Sequence, residues 1–128
     1  MQGKVVHFEV PAKDLKRAKA FYSDVFGWAM TDVPQMNYVL VGTTASDKNG
    51  RPKEPGAING GMTKKAPPVE TPIITIQVDD IDGALKEVEK RGGKTVLKKT
   101  SMGENGFFGY FKDTEGNVLG LFQAPGRA

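Results

Sequence analysis

The chain has 128 residues, no cysteine and a formal net charge of +3. This length suits a single domain that buries most of its apolar surface. The missing cysteines exclude disulfides, thiolate metal sites and cysteine nucleophiles. No apolar run is long enough to cross a bilayer, and the N-terminus lacks the apolar block of a signal peptide, so we expect a soluble, cytoplasmic protein.

We expect neither a nucleic-acid nor a membrane partner, and the charge pattern itself says little about partners. The 18 basic and 15 acidic residues are interspersed along the chain. A nucleic-acid-binding surface would show a basic stripe interleaved with aromatic residues, and none is visible. The pattern indicates a mixed, solvated surface.

The first half of the chain reads as a strand, a helix and three more strands. Asp14 is the predicted N-cap of the helix, and Gly27 is the predicted C-terminal glycine. Between the caps, apolar residues recur at helical spacing. The strands are predicted over residues 5–10, 28–32, 36–42 and 56–62, with a mobile polar loop over residues 43–55.

The second half repeats this order. Asp80 is the predicted N-cap of a second helix, which ends at Gly92 and Gly93. The strands are predicted over residues 72–80, 94–98, 106–112 and 117–123, with a turn over residues 113–117. We therefore predict one domain over residues 1–128, made of module 1 (4–62), an extended linker (63–71) that contains two adjacent prolines, and module 2 (72–124).

Strand alternation assigns the two faces of the first strand of each half. Aligning Asp14 with Asp80 pairs His7 with Ile73, and Glu9 with Thr75. In both strands the residues between these positions are small or apolar, and we expect them to face the helices. The fold class predicted is α+β, with two βαβββ modules that form a cupped mixed sheet and helices on the outside.

One stretch of the first half and two stretches of the second half resemble the vicinal oxygen chelate superfamily, which contains glyoxalases, bleomycin resistance proteins and extradiol dioxygenases. They are "HFEVPAKDLKRAKAFYSDVFGW" (residues 7–28) and "VDDIDGALKEVEKRGGK" (residues 78–94) with "FKDTEGNVLGLFQ" (residues 111–123). The resemblance spans nearly the whole chain and implies the paired-module fold. It does not imply one reaction, since members isomerise, cleave rings, open epoxides or only bind. It also implies a homodimer, in which modules are sometimes exchanged.

The resemblance also implies where a metal would be held. The superfamily's metal ligands come from the first and last strand of each module, and His7 falls on the first of these positions. The corresponding residues at the others are Ile73, a glycine at or near Gly60, and Gly120, none of which carries a donor side chain. We therefore predict no metal and no other cofactor, with a divalent metal held by His7, Glu9 and water as the alternative.

His7 and Glu9 lie two residues apart on one strand, so their side chains point the same way. A carboxylate beside an imidazole would raise its pKa and orient its tautomer, as a general base requires. The alternative is a buried polar pair that lines a cavity and is satisfied by water. No nucleophile or oxyanion motif accompanies the pair, and the catalytic residues, if any, are left open.

Aromatic residues on the same faces predict a pocket for a flat, apolar or cationic molecule. Glycines near them would leave room for that ligand. The predicted ligand-binding residues are His7, Glu9, Trp28, Tyr38, Asn59, Thr75, Phe108, Tyr110 and Phe122.

The function predicted is metal-free binding of a small organic molecule in the cup, for sequestration or for an unknown metabolic role. One alternative is a metal-dependent glyoxalase-type lyase or isomerase, and dioxygenase chemistry also occurs in the superfamily. A further alternative is a protein-interaction module that uses the sheet edges or the basic linker.

Overall fold

The computed structural model describes residues 3–126, which form two compact units. The first module comprises residues 7–72, and the second module comprises residues 73–126 together with residues 3–6. The first strand therefore begins in the second module and continues into the first.

Both modules contain the same sequence of elements. The first follows the order β1 (Lys4–Ala12), α1 (Leu15–Phe26), β2 (Ala29–Val33), β3 (Tyr38–Gly42) and β4 (Gly60–Lys64). The second follows the order β5 (Ile73–Gln77), α2 (Ile81–Lys90), β6 (Lys94–Ser101), β7 (Phe107–Lys112) and β8 (Val118–Gln123). The predicted α+β class and the predicted duplication are confirmed.

The strand order is also duplicated. In the first module it is β2-β3-β4-β1, and in the second it is β6-β7-β8-β5. The first and last strands of each module pair in parallel, with Glu9 opposite Gly61 and Thr75 opposite Gly120, and the other pairs are antiparallel. Each module thus has a mixed sheet in which its first and last strands are neighbours.

The two helices begin in different ways. Asp14 caps α1 as predicted, because its Oδ1 accepts a hydrogen bond from the Arg17 backbone N–H at 3.0 Å. Gly27 ends that helix with φ of 70°, a conformation that favours glycine. Asp80 occupies the N-cap position of α2 but makes no capping bond with its side chain. Instead, the Ile81 N–H donates to Oε1 of Gln123 at 2.9 Å, so a residue of β8 caps this helix.

Each helix packs on one face of its own sheet. The buried core of the first module contains Ala12, Val39, Val41 and Met62, with Phe8, Leu15, Ala18, Tyr22, Trp28 and Met30 packed against it. The buried core of the second contains Val78, Ile81, Ala84, Leu85, Phe111 and Leu121. The alternation predicted for the first strands is confirmed at these positions, since Phe8, Ala12 and Val78 lie on the helix side.

Some predicted boundaries were wrong. The fourth strand begins at Gly60 rather than at residue 56 and runs to Lys64, so it takes in the start of the predicted linker. The rest of that linker is not extended. Ala66 and Val69 exchange two backbone hydrogen bonds of 3.2 and 2.8 Å around a cis Pro67–Pro68 bond. Val69 is 5% exposed, so the turn carries a buried apolar side chain.

The predicted loop over residues 43–55 has hydrogen-bonded structure. Ser46 and Pro52 form an isolated antiparallel bridge, and Asp47 Oδ1 accepts from the backbone N–H groups of Asn49 and Arg51 at 2.8 and 3.0 Å. These bonds close a tight turn at the tip of the loop. In residues 3–126, neither helix has the length and apolarity needed to cross a membrane.

Candidate functional site

The candidate site in the first module lies on the sheet face opposite α1. Phe8 and Ala12 pack into the core beneath the helix, so strand alternation places His7 and Glu9 on the other face of β1. Tyr38 of β3 and Gly61 of β4 share this face. Three strands therefore contribute to one polar patch, as the sequence predicts for His7, Glu9 and Tyr38.

His7 is hydrogen-bonded to Tyr38. Its Nε2 lies 2.9 Å from the tyrosine hydroxyl oxygen, and the donor depends on which imidazole nitrogen carries the proton. Burial lowers the pKa of His7 below its usual value of 6.5, because a charged imidazolium loses hydration in this position. The imidazole is therefore neutral at pH 7.

Glu9 does not have the effect on His7 that the sequence predicts. It is 7% exposed and is opposite Gly61 in the sheet. A carboxylate neighbour was expected to raise the pKa of His7, whereas the pKa is lowered and burial is the cause. Desolvation therefore outweighs any attraction between the two groups.

Gly61 is the glycine that matters on this face. A Cβ at this position would overlap the hydroxyl and ring atoms of Tyr38. A Cβ at Gly60 would instead meet the ring and carbonyl of Phe8 at 2.6 Å, on the helix side. The register of β4 therefore assigns Gly61, and not Gly60, to the position facing His7. An alternating pattern containing two adjacent glycines cannot distinguish these positions, because neither has a side chain.

Two of the predicted residues, Trp28 and Asn59, make contacts outside the pair of His7 and Tyr38. Trp28 stacks on Tyr22 with ring centroids 4.9 Å apart and packs against Phe8 at 5.6 Å, in the aromatic cluster beneath α1. Asn59 ties down the neighbouring loop: its Oδ1 accepts from the Thr43 backbone N–H at 2.8 Å, and its Nδ2 donates to Ser46 Oγ at 2.9 Å. Trp28 therefore lies on the helix side of the sheet, and the Asn59 side chain is bonded to the loop that begins at Thr43.

The second module carries the corresponding face. Thr75, Gly120 and Tyr110 stand side by side on β5, β8 and β7, and Phe122 and Phe108 form the next row. Tyr110 is 7% exposed, and its ring meets that of Phe108 edge-on at 6.0 Å. The predicted residues Thr75, Phe108, Tyr110 and Phe122 therefore share one face, and Phe108 and Phe122 are half-buried there.

The glycines do not leave the empty space that the sequence predicts. Tyr38 covers Gly61, and Thr75 Oγ1 would lie 2.7 Å from a Cβ at Gly120. In each case a side chain from an adjacent strand, Tyr38 or Thr75, fills the space above the glycine. On these two faces His7, Tyr38, Phe108 and Phe122 are half-buried, so part of each side chain remains exposed.

A groove of about 920 Å³ lies on the other face of the second module, beside α2. Apolar side chains line it, including Ile76, Val88 and Phe111, with Glu87 and Arg91 among the charged residues. None of the nine predicted ligand-binding residues lines this groove.

The residues at the predicted metal positions do not fit a divalent metal. Such an ion needs three or four nitrogen or oxygen donors that converge on it. Between residues 3 and 126, no three His, Asp or Glu side chains are grouped in this way. Ile73 is 1% exposed and offers only hydrocarbon, and Nε2 of His7 is already bonded to Tyr38.

Comparison with known proteins supports the family assignment. The model of the Glyoxalase/Bleomycin resistance protein/Dioxygenase superfamily matches residues 4–121. A glyoxylase-like domain-containing protein of Didymella fabae is 33% identical, over 99% of this chain and 98% of its own length. A Mycobacterium tuberculosis protein whose name contains "glyoxylase CFP32" is 30% identical over 96% of this chain, which spans only 46% of that protein.

A solved structure shares the fold. Methylmalonyl-CoA epimerase of Streptomyces coelicolor superposes with a TM-score of 0.66 at 15% identity, covering 98% of this chain and 100% of the other. This likeness bears on the fold alone. Together with the family match and the duplicated βαβββ modules, it confirms the predicted resemblance. The chain belongs to the glyoxalase/bleomycin resistance protein/dioxygenase superfamily.

Proposed function

We propose that this protein binds a small organic molecule on the sheet faces opposite its helices, without a catalytic metal. The observation that carries the proposal is the hydrogen bond between His7 Nε2 and the Tyr38 hydroxyl. It occupies Nε2, one of the two nitrogens through which an imidazole binds a metal, and it places a phenol group at the patch. Sequestration of the bound molecule is one form of this function, and a metabolic role is the other.

The aromatic face of the second module supports the choice of ligand. Phe108 and Phe122 are partly exposed beside the buried ring of Tyr110, and Thr75 adds a hydroxyl group. Small-molecule sites combine mainly apolar walls with a few fixed polar groups, and this face has both. A flat, apolar molecule with one or two polar atoms is the ligand class that we propose.

A ligand screen tests this function. Aromatic compounds and metabolites are first screened for those that raise the melting temperature of the purified protein. The compounds that do so are then titrated into the protein by calorimetry. For a compound that binds, Phe108→Ala is expected to weaken affinity by roughly two- to tenfold, as the loss of one aromatic contact implies. Ile74→Ala is the matched control, since Ile74 is 48% exposed on the opposite face of the same module. Equal losses in the two variants contradict a binding site at Phe108.

A metal-dependent lyase or isomerase is the second candidate. Two observations favour it: His7 stands at the first metal position of the superfamily, and the relatives carry glyoxylase in their names. This candidate requires that the wild-type protein bind one equivalent of nickel, zinc or manganese and that the His7→Ala variant not bind it. Metal content that is negligible in both proteins removes this candidate.

We also propose that the protein forms a homodimer. Three large apolar side chains of α1 are exposed, Phe21 and Val25 by 56% and Phe26 by 61%. A second copy that covers them would remove this apolar surface from water. Light scattering after gel filtration is expected to give twice the monomer mass, and Phe26→Asp is expected to lower it. A monomeric wild type contradicts the proposal.

A further inference from the structure

Tyr38 reaches His7 by crossing an intervening strand. In the register of β3 and β4, Tyr38 is opposite Thr63, and Leu40 is opposite Gly61. The Tyr38 ring therefore leans along the sheet over Gly61, and its hydroxyl meets His7 on β1, the strand beyond. Any side chain at position 61 would occupy the volume of that ring. The pair of His7 and Tyr38 exists because residue 61 is glycine.

This pair engages Nε2, one of the two imidazole nitrogens that can bind a metal. A metal ligates the lone pair of a neutral imidazole nitrogen. If the Tyr38 hydroxyl donates, it uses the lone pair of Nε2, and if Nε2–H donates, no lone pair is present. In either tautomer, a cation that binds Nε2 must first break the 2.9 Å hydrogen bond.

The three strands of the patch carry no basic side chain on this face. Strand alternation places Lys4 and Lys64 on the helix side of the sheet, and the ionisable residues facing His7 from β1 and β3 are Glu9 and Tyr38. No residue that strand alternation places on this face of β1, β3 or β4 is basic, so these three strands offer no cation to a carboxylate or a phosphate. The polar group that this face suits is an uncharged oxygen, which can exchange a hydrogen bond with a phenol.

We propose that Tyr38, placed over Gly61, takes the position of a metal at His7: it keeps divalent cations from Nε2 and offers its hydroxyl to an uncharged carbonyl or hydroxyl oxygen of the ligand. The second half of this statement rests on the proposed binding function. The first half does not, because it concerns His7, Tyr38 and added metal alone.

The first part of the proposal, that Tyr38 keeps metal from His7, is called the metal half and is tested by NMR of the single histidine. Because His7 is the only histidine, the protein has one imidazole C2–H resonance in its proton NMR spectrum. Nickel chloride is added to wild type, to Tyr38→Phe and to the control Tyr22→Phe, which removes a phenol hydroxyl beneath α1. Tyr38→Phe is expected to bind nickel at His7 roughly two- to tenfold more tightly than wild type, since no hydrogen bond must be broken. Tyr22→Phe should match wild type.

Two results overturn the metal half. One is unchanged nickel affinity in Tyr38→Phe, which would mean that Tyr38 does not protect Nε2. The other is a wild type that already binds nickel at His7 as tightly as the variant. Matching amide spectra for the three proteins establish that each has folded.

The ligand half is tested with two probes that share a ring, acetophenone and benzoate. Acetophenone is expected to shift the His7 resonance of wild type, and this shift should be lost in Tyr38→Phe. Benzoate is expected to shift it less, because no basic side chain of β1, β3 or β4 faces His7 to balance its charge. A larger shift with benzoate, or an acetophenone shift retained in Tyr38→Phe, overturns the assignment.

The inference and the proposed function can fail separately. If screened compounds bind by calorimetry but leave the His7 resonance unmoved, the function stands and the ligand half of the inference is wrong. If no compound binds while Tyr38→Phe still gains nickel affinity, the proposed function is wrong and the metal half stands.

Discussion

A double-mutant cycle between Gly61 and Tyr38 tests how the His7 patch is built. Gly61→Ala places a Cβ in the volume of the Tyr38 ring, so the tyrosine must leave and its hydrogen bond with His7 is lost. That loss costs about 0.5–1.5 kcal/mol, and up to about 3 if Nε2 finds no other partner. Replacing glycine by alanine also restricts the unfolded chain, which stabilises the protein by about 0.4–1 kcal/mol.

The two terms oppose each other, so the stability of the single variant does not decide the question. In a Tyr38→Ala background the collision is absent, and Gly61→Ala should stabilise the protein by about 0.4–1 kcal/mol. The difference between the two backgrounds should therefore be roughly 0.5–3 kcal/mol. Urea unfolding of wild type, both single variants and the double variant measures it.

Gly42→Ala is the matched control for this cycle. A Cβ at Gly42 would be 3.7 Å from its nearest neighbour, the Cβ of Ala29, and would not touch Tyr38. Its effect should be the same in both backgrounds to within about 0.5 kcal/mol. A Gly61 coupling no larger than that of Gly42 would refute the placement of Tyr38 over Gly61.

Three other predictions concern protonation, capping and packing. Burial lowers the pKa of His7, so the unfolded chain binds the proton more readily than the folded protein does. The free energy of unfolding should therefore fall as the pH drops from 6.5 through the pKa of the folded state. In urea unfolding at several pH values, His7→Gln should show a weaker dependence of stability on pH. An unchanged dependence contradicts the pKa shift. Gln123→Leu should lower the free energy of unfolding by about 1 kcal/mol, because it removes the cap of α2. Asp80→Ala should change it by less than about 0.5 kcal/mol. A larger loss in Asp80→Ala than in Gln123→Leu would refute the assignment of Gln123 as the cap. Met62→Ala, at a position that is 0% exposed, should cost about 2–5 kcal/mol, and a smaller loss in thermal unfolding would show that the core closes around the cavity.

Local signals made most of the fold predictable. Asp14 and Gly27 are caps whose partners lie within one helical turn, and the structure confirms both. Asp80 lies at the N-cap position of α2 as predicted, but the side chain that caps the helix is that of Gln123, which is separated from Ile81 by 42 positions in sequence. No pattern within one element shows which distant side chain will reach a helix terminus.

The site was less predictable, because it depends on register. Alternation correctly placed Thr75, Phe108 and Phe122 on one face, since each strand can be read alone. The path of Tyr38 over Gly61 requires the relative positions of three strands, and a one-residue change in β4 would exchange Gly60 for Gly61. A sequence specifies that register through the packing of the whole module.

Metal analysis of the purified protein tests the central claim most directly. The protein is expressed in medium supplemented with nickel, zinc and manganese, and its metal content is measured beside that of Tyr38→Phe and His7→Ala. We expect wild type and His7→Ala to carry the same negligible amount of metal, because Tyr38 holds Nε2 of His7. One metal ion per chain in wild type that is lost in His7→Ala would contradict a metal-free site.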